Sequence, residues 1–301
     1  MIDIYVIGCG GVGGYLLNLL PQTMACLAVD LSIASGVPNQ EIMGKEGVSS
    51  KLLNPFRSLT LVDGDEFSGH NALRQAGVTG SKVRTQLLKL RHSDIFTTWL
   101  TDTQLKGYNT YLTPANMRSI MPITEGCIGV YEPARWWGYS FLKNQRLAVI
   151  FPCVDNHKTR YEVAKWAERF NNVLLINGGN EKTTGNVIVY ERRGSVPLDP
   201  PIYEVYPDVA AGRDKRPDET ACTDVAAEND QTAITNNLIA SFMLAMFSKW
   251  IKEGKLDQQT TERDKDGKFI TRRMNEVIID TERMSVRPLS RKAKNTSTKV
   301  N

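Results

Sequence analysis

Three glycines near the beginning of the chain have the G-x-G-x-x-G spacing of a phosphate-binding turn: Gly8, Gly10 and Gly13. They follow a nearly continuous apolar run over 2–7, typical of a buried parallel strand, and precede a helical pattern that starts at Val12 and ends at Pro21. In such a turn, backbone N–H groups and the positive end of the helix dipole point at an anion, and the glycines allow it to come close. We therefore predict a nucleotide-binding turn whose residues are Gly8, Gly10, Gly11 and Gly13.

Carboxylates follow the next predicted strand, over 59–62, in the sequence Asp63-Gly64-Asp65. A nucleotide seated on the glycine turn needs a carboxylate at the end of the neighbouring strand to bind its ribose hydroxyls. Either Asp63 or Asp65 can supply that carboxylate.

Further polar side chains are close enough in sequence to converge on the phosphates of ATP. Arg and Lys neutralise triphosphate charge, and Asn or Gln fixes geometry without adding charge. These residues are Asn71, Arg74, Gln75 and Lys82. Asp155 follows a later strand, over 147–151, at the edge where open α/β sheets bind ligands. A lone carboxylate that faces phosphates is suited to bind magnesium, and we expect Asp155 to do so.

Together these residues resemble the adenylation domain of the ThiF/MoeB superfamily, which includes the ubiquitin-activating enzymes. The resemblance covers about 1–190, with weaker likeness to roughly residue 250, and its most specific part is the Asp–Asn–Arg–Gln run. The residues that carry it are Gly8–Gly13, Asp63, Asp65, Asn71, Arg74, Gln75, Lys82, Val154-Asp155-Asn156 and Arg160.

The resemblance implies an enzyme that uses ATP and magnesium to adenylate a carboxylate, commonly the C-terminal glycine of a ubiquitin-like protein. The substrate stays open between a ubiquitin-like protein, a sulfur-carrier protein, a short peptide and a small carboxylic acid. The resemblance implies that Asp65 binds the ribose and Asp155 the magnesium. The phosphates would be bound by Asn71, Arg74, Gln75 and Lys82, and Asn156 would belong to the same site. It also implies a homodimer. The paired cysteines that bind zinc in the family are missing here, so we expect no zinc.

One cysteine, Cys222, lies in a predicted crossing loop where family members that form a thioester or persulfide carry their cysteine. A thiolate there could attack an acyl-adenylate and expel AMP. The acidic neighbours between Asp218 and Glu228 would raise the pKa of the thiol and slow that attack. The sequence therefore leaves two interpretations of Cys222, as a catalytic nucleophile or as a structural loop residue.

Two other functions compete with adenylation. In an NAD-dependent dehydrogenase, Asp30, after the short apolar run 26–29, would be the acid of the dinucleotide fingerprint. That reading leaves Asn71, Arg74 and Lys82 unexplained. The chain could also be a catalytically inactive partner subunit of an activating enzyme, but the presence of Arg74, Lys82 and Asp155 argues against it.

The alternation of strand and helix predicts a doubly wound, Rossmann-like and mainly parallel sheet with a C-terminal antiparallel extension. The nucleotide-binding adenylation domain spans 1–192, with insertions at 31–57 and 126–144, and a crossing loop follows at 193–231. A helix over 232–250 would pack its apolar residues on the sheet, namely Ile234, Leu238, Ile239, Phe242, Met246 and Trp250. Strands to residue 282 complete the domain. We also expect a strand over 108–112 and a disordered basic tail at 283–301.

The composition of the 301 residues is that of a globular protein, and the net charge of +4 gives no strong nucleic-acid signal. The chain begins directly with a strand pattern, and no apolar run reaches transmembrane length, so we expect a cytoplasmic protein without membrane contact. The five cysteines form no C-x-x-C pair, which gives no support to a zinc knuckle or a disulfide framework.

Overall fold

The structure is a computed structural model that describes residues 1–44, 47–48, 52–67, 80–123, 146–181, 183–212, 214 and 232–292. The strands are β1 (Ile2–Ile7), β2 (Met43–Gly44), β3 (Gly47–Val48), β4 (Phe56–Val62), β5 (Glu66–Phe67), β6 (Gly80–Ser81), β7 (Gln104–Tyr108), β8 (Leu147–Pro152), β9 (Val173–Asn180), β10 (Thr184–Arg193), β11 (Val196–Pro197), β12 (Asp257–Arg263), β13 (Phe269–Arg273), β14 (Glu276–Asp280) and β15 (Ser285–Leu289). The helices are α1 (Gly11–Ala34), α2 (Asn39–Ile42), α3 (Lys82–Arg91), α4 (Met117–Ile120), α5 (His157–Ala167), α6 (Ile202–Val205), α7 (Pro207–Ala211) and α8 (Ala233–Glu253), with a π-helical turn at Ile95–Trp99.

The main sheet confirms the predicted fold class. Its order is β15-β14-β10-β9-β8-β1-β4-β7, with β11 paired to β10. The strands from β9 to β7 are parallel, and β10, β14 and β15 add antiparallel pairs on the other side. The chain first builds outward from β1 through β4 to β7 and then returns to place β8 on the opposite side of β1. This reversal puts a topological switch point, the usual ligand position in such sheets, between β1 and β8.

Two apolar cores, one on each face, fix the three-layer arrangement. The core on the α1 and α8 face contains Phe56, Phe151, Phe247 and Trp250, and the Phe151 and Phe247 rings meet edge to face at 5.7 Å. The other core lies under α4 to α7. The parallel strands β1 and β8 are buried along their whole length, because helices cover both faces.

The first helix differs from the sequence prediction, which ended it at Pro21 and began a new apolar run at Cys26. α1 continues through Pro21 to Ala34, because buried residues on both sides of the proline, including Leu17 and Met24, keep it packed. The full helix, Gly11–Ala34, is long and apolar enough to cross a membrane by length and composition alone. The expectation that no apolar run reaches transmembrane length was made because the predicted helix stopped at Pro21. In this structure 56% of its most apolar 18-residue segment is buried inside the protein, and α8 is its main packing partner.

Helix α8 confirms the predicted 232–250 helix in outline. Thr232 caps its start by accepting a hydrogen bond from the Thr235 N–H at 3.2 Å. Ile239 and Trp250 are buried as expected, whereas Ile234 and Leu238 are exposed, so the prediction that those two pack on the sheet is wrong. They lie on the outer face of the helix, away from the sheet.

Predictions for the two edge strands of the main sheet, β7 and β15, are also corrected. The edge strand runs over Gln104–Tyr108, not 108–112, and the chain has already left the sheet when it reaches Tyr111. The prediction of a disordered basic tail at 283–301 is wrong for 283–292, which contains β15, whereas 293–301 lies outside the described residues. Arg291, which follows β15, pairs with the fully buried Glu276, and the Asn275 side chain hydrogen-bonds the N–H and C=O of Arg291 at 2.7 and 3.0 Å.

Candidate functional site

The glycine turn follows β1 directly, and close backbone approach requires its glycines. Gly8 has φ +90°, and a Cβ there would lie 2.6 Å from the Cys153 carbonyl oxygen. A Cβ on Gly13 would lie 1.9 Å from the Gly8 carbonyl oxygen. Any side chain at either position would therefore push the turn away from β8 or from the start of α1.

Sheet hydrogen bonds bring the ends of three neighbouring strands to one edge. The Gly8 N–H donates to the Val62 carbonyl at 2.8 Å, and the Cys153 N–H donates to the Ile7 carbonyl at 2.7 Å. The segments that begin at Gly8, Asp63 and Cys153 therefore leave the sheet side by side. This confirms the sequence argument that residues after separate strands share one edge.

The two candidate ribose carboxylates have different environments. The Asp63 side chain is buried, and its two oxygens accept hydrogen bonds from the Cys9 N–H at 2.6 Å and the Asp65 N–H at 2.8 Å. Burial raises the pKa of Asp63, although nearby Lys82 lowers it in part. Asp63 thus fastens the turn, whereas the side chain of Asp65 is 40% exposed.

Lys82 connects this carboxylate to the glycine turn. It is the first residue of α3, whose N-cap, Ser81, accepts a hydrogen bond from the Arg84 N–H. The Lys82 side chain is largely buried, and its Nζ donates to Asp65 Oδ2 at 2.9 Å. The same Nζ lies 3.5 Å from the point where a Gly10 side chain would begin. The Lys82 ammonium group therefore lies between the turn and Asp65, where it would contact a phosphate bound on the turn.

Asp155 and Asn156 follow β8 at the switch point. Asp155 is exposed. Asn156 is buried and caps α5, because its Oδ1 accepts from the Thr159 N–H at 2.8 Å. The buried Arg160 donates to the carbonyls of Val154 and Gly178, which ties this turn to β9, and burial lowers the pKa of its guanidinium. In the described part of the chain, Asp155 is thus an exposed carboxylate on a turn that the hydrogen bonds of Asn156 and Arg160 hold in place.

Beside Asp155 lies a cavity of about 440 Å³. Its walls are 155, 157 and 160 from the α5 side, 179–181 and 184–186 from β9 and β10, residues 202, 206, 208 and 209 from α6 and α7, and Ile278. A Cβ on Gly179 would lie 2.7 Å from both Arg160 Nη1 and Asn186 Oδ1. The Gly179 backbone is thus packed closely between a donor, Arg160, and an acceptor, Asn186, and leaves no room for a side chain there.

The orientation of Asn186 follows from its neighbours. Its Nδ2 donates to the Tyr206 hydroxyl at 2.8 Å and to Glu276 Oε1 at 3.2 Å. Because a carboxylate only accepts hydrogen bonds, the amide nitrogen must face Glu276, and the oxygen must face Gly179. Tyr206 also donates to Glu276, and burial followed by that contact raises the pKa of Tyr206 to about 12.

Several predicted residues lie outside the described part of the chain. They are Asn71, Arg74, Gln75 and Cys222. The expectation that the first three join the phosphates therefore stays a prediction, as does a catalytic role for Cys222. Within the described ranges, no three His, Cys, Asp or Glu side chains cluster as a metal site.

The structure removes the main support for the dehydrogenase hypothesis. Asp30 lies on α1 and not after a second strand, and it pairs with Lys252 of α8 at 2.7 Å. A dinucleotide fingerprint needs its acid at the end of the strand after the first helix, beside the ribose. That position is occupied here by Asp63 and Asp65.

Sequence reasoning missed Tyr111, whose hydroxyl donates to Asp65 Oδ1. No motif marks this residue, because it belongs to the connection that follows the edge strand β7. Tyr111 entered the sequence predictions only as part of the strand wrongly predicted over 108–112, with no functional role.

The cysteines beside the turn give a prediction of their own. Burial raises the pKa of Cys153 to about 12 and that of Cys9 well above its ordinary value, whereas Cys26 is exposed. Because only the thiolate reacts, iodoacetamide at pH 8 should label Cys26 and spare Cys9 and Cys153 in the native protein. Mass spectrometry of the digested protein measures this, with urea-unfolded protein as the control in which all are labelled. Equal native labelling of Cys26 and Cys153 would contradict it.

Comparison with known proteins gives the family. A family model described as the ThiF family matches residues 2–297. The E. coli MccB crystal structure with MccA-N7isoASN is similar at 13% identity and TM-score 0.51, over 97% of this chain and 64% of that chain. The E. coli MccB structure with selenomethionine MccA has 12% identity and TM-score 0.52, over 98% of this chain and 65% of that one.

The chain thus spans somewhat under two thirds of the length of the MccB chains, and at these identities the likeness concerns the fold. No curated protein sequence matches. The family model, in contrast, extends over nearly all of the chain and includes every residue of the site described above. The chain therefore belongs to the ThiF family.

Proposed function

We propose that this protein uses ATP to adenylate a carboxylate, with the C-terminus of a protein or peptide as the acceptor. One observation carries the proposal: the glycine turn, the Lys82–Asp65 pair and Asp155 meet at the carboxyl edge, around the switch point between β1 and β8. Membership of the ThiF family supports it.

In this proposal each group has one role. Asp65, the exposed carboxylate, binds the ribose, and Asp63 only fixes the turn. Lys82 binds phosphate and stabilises the charge that develops on pyrophosphate as it leaves. Asn71, Arg74 and Gln75 join Lys82 on the phosphates, as the family resemblance implies.

Asp155 fits a magnesium site of the kind that ATP enzymes use. Mg²⁺ is commonly bound by one or two carboxylates together with phosphates and water, and Asp155 is an exposed carboxylate beside the glycine turn. Bound there, the ion would neutralise phosphate charge. Asn156 supports Asp155 by holding the turn through its cap of α5.

The cavity beside Asp155 supports an acceptor that contains an amide. Arg160 and Asn186 both line this cavity, and a guanidinium donor and an amide oxygen could pair with the C=O and N–H of a peptide bond. MccB was crystallised with MccA-N7isoASN, whose name specifies an amino-acid residue. We therefore favour a peptide, a ubiquitin-like protein or a sulfur carrier over a small carboxylic acid.

A second step, transfer of the acyl group from AMP to Cys222, is a further part of the proposal. The Cys222 sulfur would attack the acyl carbon, and AMP would leave with the electron pair of the broken bond. Cys222→Ala should then keep ATP–pyrophosphate exchange and lose a thiol-sensitive adduct with the acceptor. An adduct that survives the substitution would assign Cys222 a structural role.

The family resemblance also underlies the proposal of a homodimer. Ile234 and Leu238 on α8 are exposed apolar side chains that such an interface would cover. Light scattering at micromolar concentration should give twice the chain mass of 33.6 kDa. A fully active monomer would remove this part of the proposal.

The nucleotide assignment is tested by calorimetric titration with Mg·ATP and, separately, with NAD. We expect ATP to bind and NAD to bind much more weakly, because Asp30 cannot reach a ribose from its position on α1. Preferential NAD binding would restore the dehydrogenase hypothesis. Failure to bind either nucleotide would favour an inactive partner subunit.

A further inference from the structure

Tyr111 lies against the carboxylate that the proposed function assigns to the ribose. Its hydroxyl donates to Asp65 Oδ1, while Lys82 Nζ donates to the other oxygen, Oδ2, at 2.9 Å. Asp65 is thus held from two sides, by a residue of the connection after β7 and by the first residue of α3. A carboxylate with 40% of its side chain exposed would otherwise be free to rotate.

Two features place the Tyr111 ring. A Cβ on Gly64 would lie 2.8 Å from ring atoms of Tyr111, so the ring rests directly on the Gly64 backbone. The Tyr111 backbone is fixed as well, because Asn116 Nδ2 donates to its carbonyl at 2.8 Å and Asn116 Oδ1 accepts from the Thr113 N–H at 2.8 Å. The residue is therefore locked before any nucleotide arrives.

The hydrogen-bonding capacity of Asp65 decides what this contact does. An ionised carboxylate has about four acceptor positions, two on each oxygen. Tyr111 takes one on Oδ1 and Lys82 one on Oδ2, which leaves one on each oxygen. Two adjacent hydroxyls of a ribose present two donors, and they match the two remaining positions.

We propose that Tyr111 is a positioning residue that orients Asp65 toward both ribose hydroxyls, so that the site prefers ribonucleotides to 2′-deoxyribonucleotides. This inference depends on the proposed function, because it assumes that ATP binds at the glycine turn. It adds a residue that neither the sequence motifs nor the family resemblance singled out. Tyr111 acts through Asp65 and does not contact the reacting phosphate.

The test compares Tyr111→Phe with the wild-type chain by titration with Mg·ATP and Mg·2′-dATP. The wild type should bind ATP about tenfold more tightly than 2′-dATP, as expected for one hydrogen bond to a charged group. Tyr111→Phe should weaken ATP binding about fivefold, because a rotating Asp65 is no longer oriented toward both hydroxyls. It should weaken 2′-dATP binding less than about twofold, because a rotating Asp65 can still accept a hydrogen bond from the single hydroxyl. The preference would then fall from about tenfold to between about twofold and about fourfold.

A matched control is Tyr203→Phe, which also removes a hydroxyl that donates to a carboxylate, that of Glu168, in the α5–α6 layer. It should leave the ratio of ATP to 2′-dATP affinity unchanged. A merely structural role of Tyr111 would weaken both nucleotides equally, and that result would overturn the inference. So would a wild type without ribose preference, or tighter ATP binding in Tyr111→Phe. A wild type that binds no ATP would overturn the proposed function itself.

Discussion

Asp155→Asn should reduce ATP-dependent adenylation on the order of 10³-fold, the loss expected when a group that stabilises transition-state charge through a metal is removed. Asparagine has nearly the same shape but no charge, so it can no longer neutralise magnesium beside the phosphates. The fold should be retained, because Asp155 is exposed and asparagine has nearly the same shape, so that the main structural loss is the negative charge near the buried Arg160. The measurement is the rate of AMP and pyrophosphate formation as a function of magnesium concentration.

The matched control for that experiment is Asp102→Asn. Asp102 is an exposed residue that precedes β7, at the opposite edge of the sheet, and the substitution makes the same change of charge. It should retain the wild-type rate. Normal magnesium dependence in Asp155→Asn would show that another group binds the metal.

Lys82→Met should lower the same rate by about 10²- to 10³-fold, because the substitution keeps the length of the buried side chain and removes the cation that faces the phosphates. The effect should appear both in ATP affinity and in turnover, since the proposed function has Lys82 contact the nucleotide before and during the reaction. It also removes one of the two groups that hold Asp65. The ATP–pyrophosphate exchange rate and the ATP dissociation constant together measure these effects.

Lys89→Met serves as the control, because Lys89 is exposed and belongs to the same helix, α3. Its substitution should leave both quantities within experimental error. An unchanged exchange rate in Lys82→Met would mean that the phosphates lie elsewhere, and the assignment of the glycine turn would fall with it.

The parts of the site that follow strands were predictable from the sequence. A buried apolar run followed by closely spaced glycines dictates a turn at the sheet edge, and parallel pairing then brings Asp65 and Asp155 to the same edge. The sequence did not reveal that Asp63 is buried and accepts two backbone hydrogen bonds, whereas Asp65 is partly exposed and accepts its two hydrogen bonds from the side chains of Lys82 and Tyr111. That distinction depends on the path of the Cys9 backbone after β1.

Predictions from the sequence are wrong where distant parts of the chain override a local signal. Pro21 normally marks a helix end, yet α1 continues because α8 and the sheet pack along its whole length. The charge of the last residues indicated disorder, but Arg291 meets Glu276, which is fully buried in β14. Tyr111 is a similar case, because its role arises from a contact with Asp65 across 46 positions of sequence.

The most direct test of the central claim asks which bond of ATP is broken. The protein is incubated with magnesium, ATP labelled at its α-phosphate and a panel of peptides with different C-terminal residues, and the labelled products are separated. Adenylation breaks the bond between the α- and β-phosphates, so the label should appear in AMP or an acyl-adenylate, and Asp155→Asn and Lys82→Met should suppress it. Label that accumulates in ADP instead would contradict the proposed function.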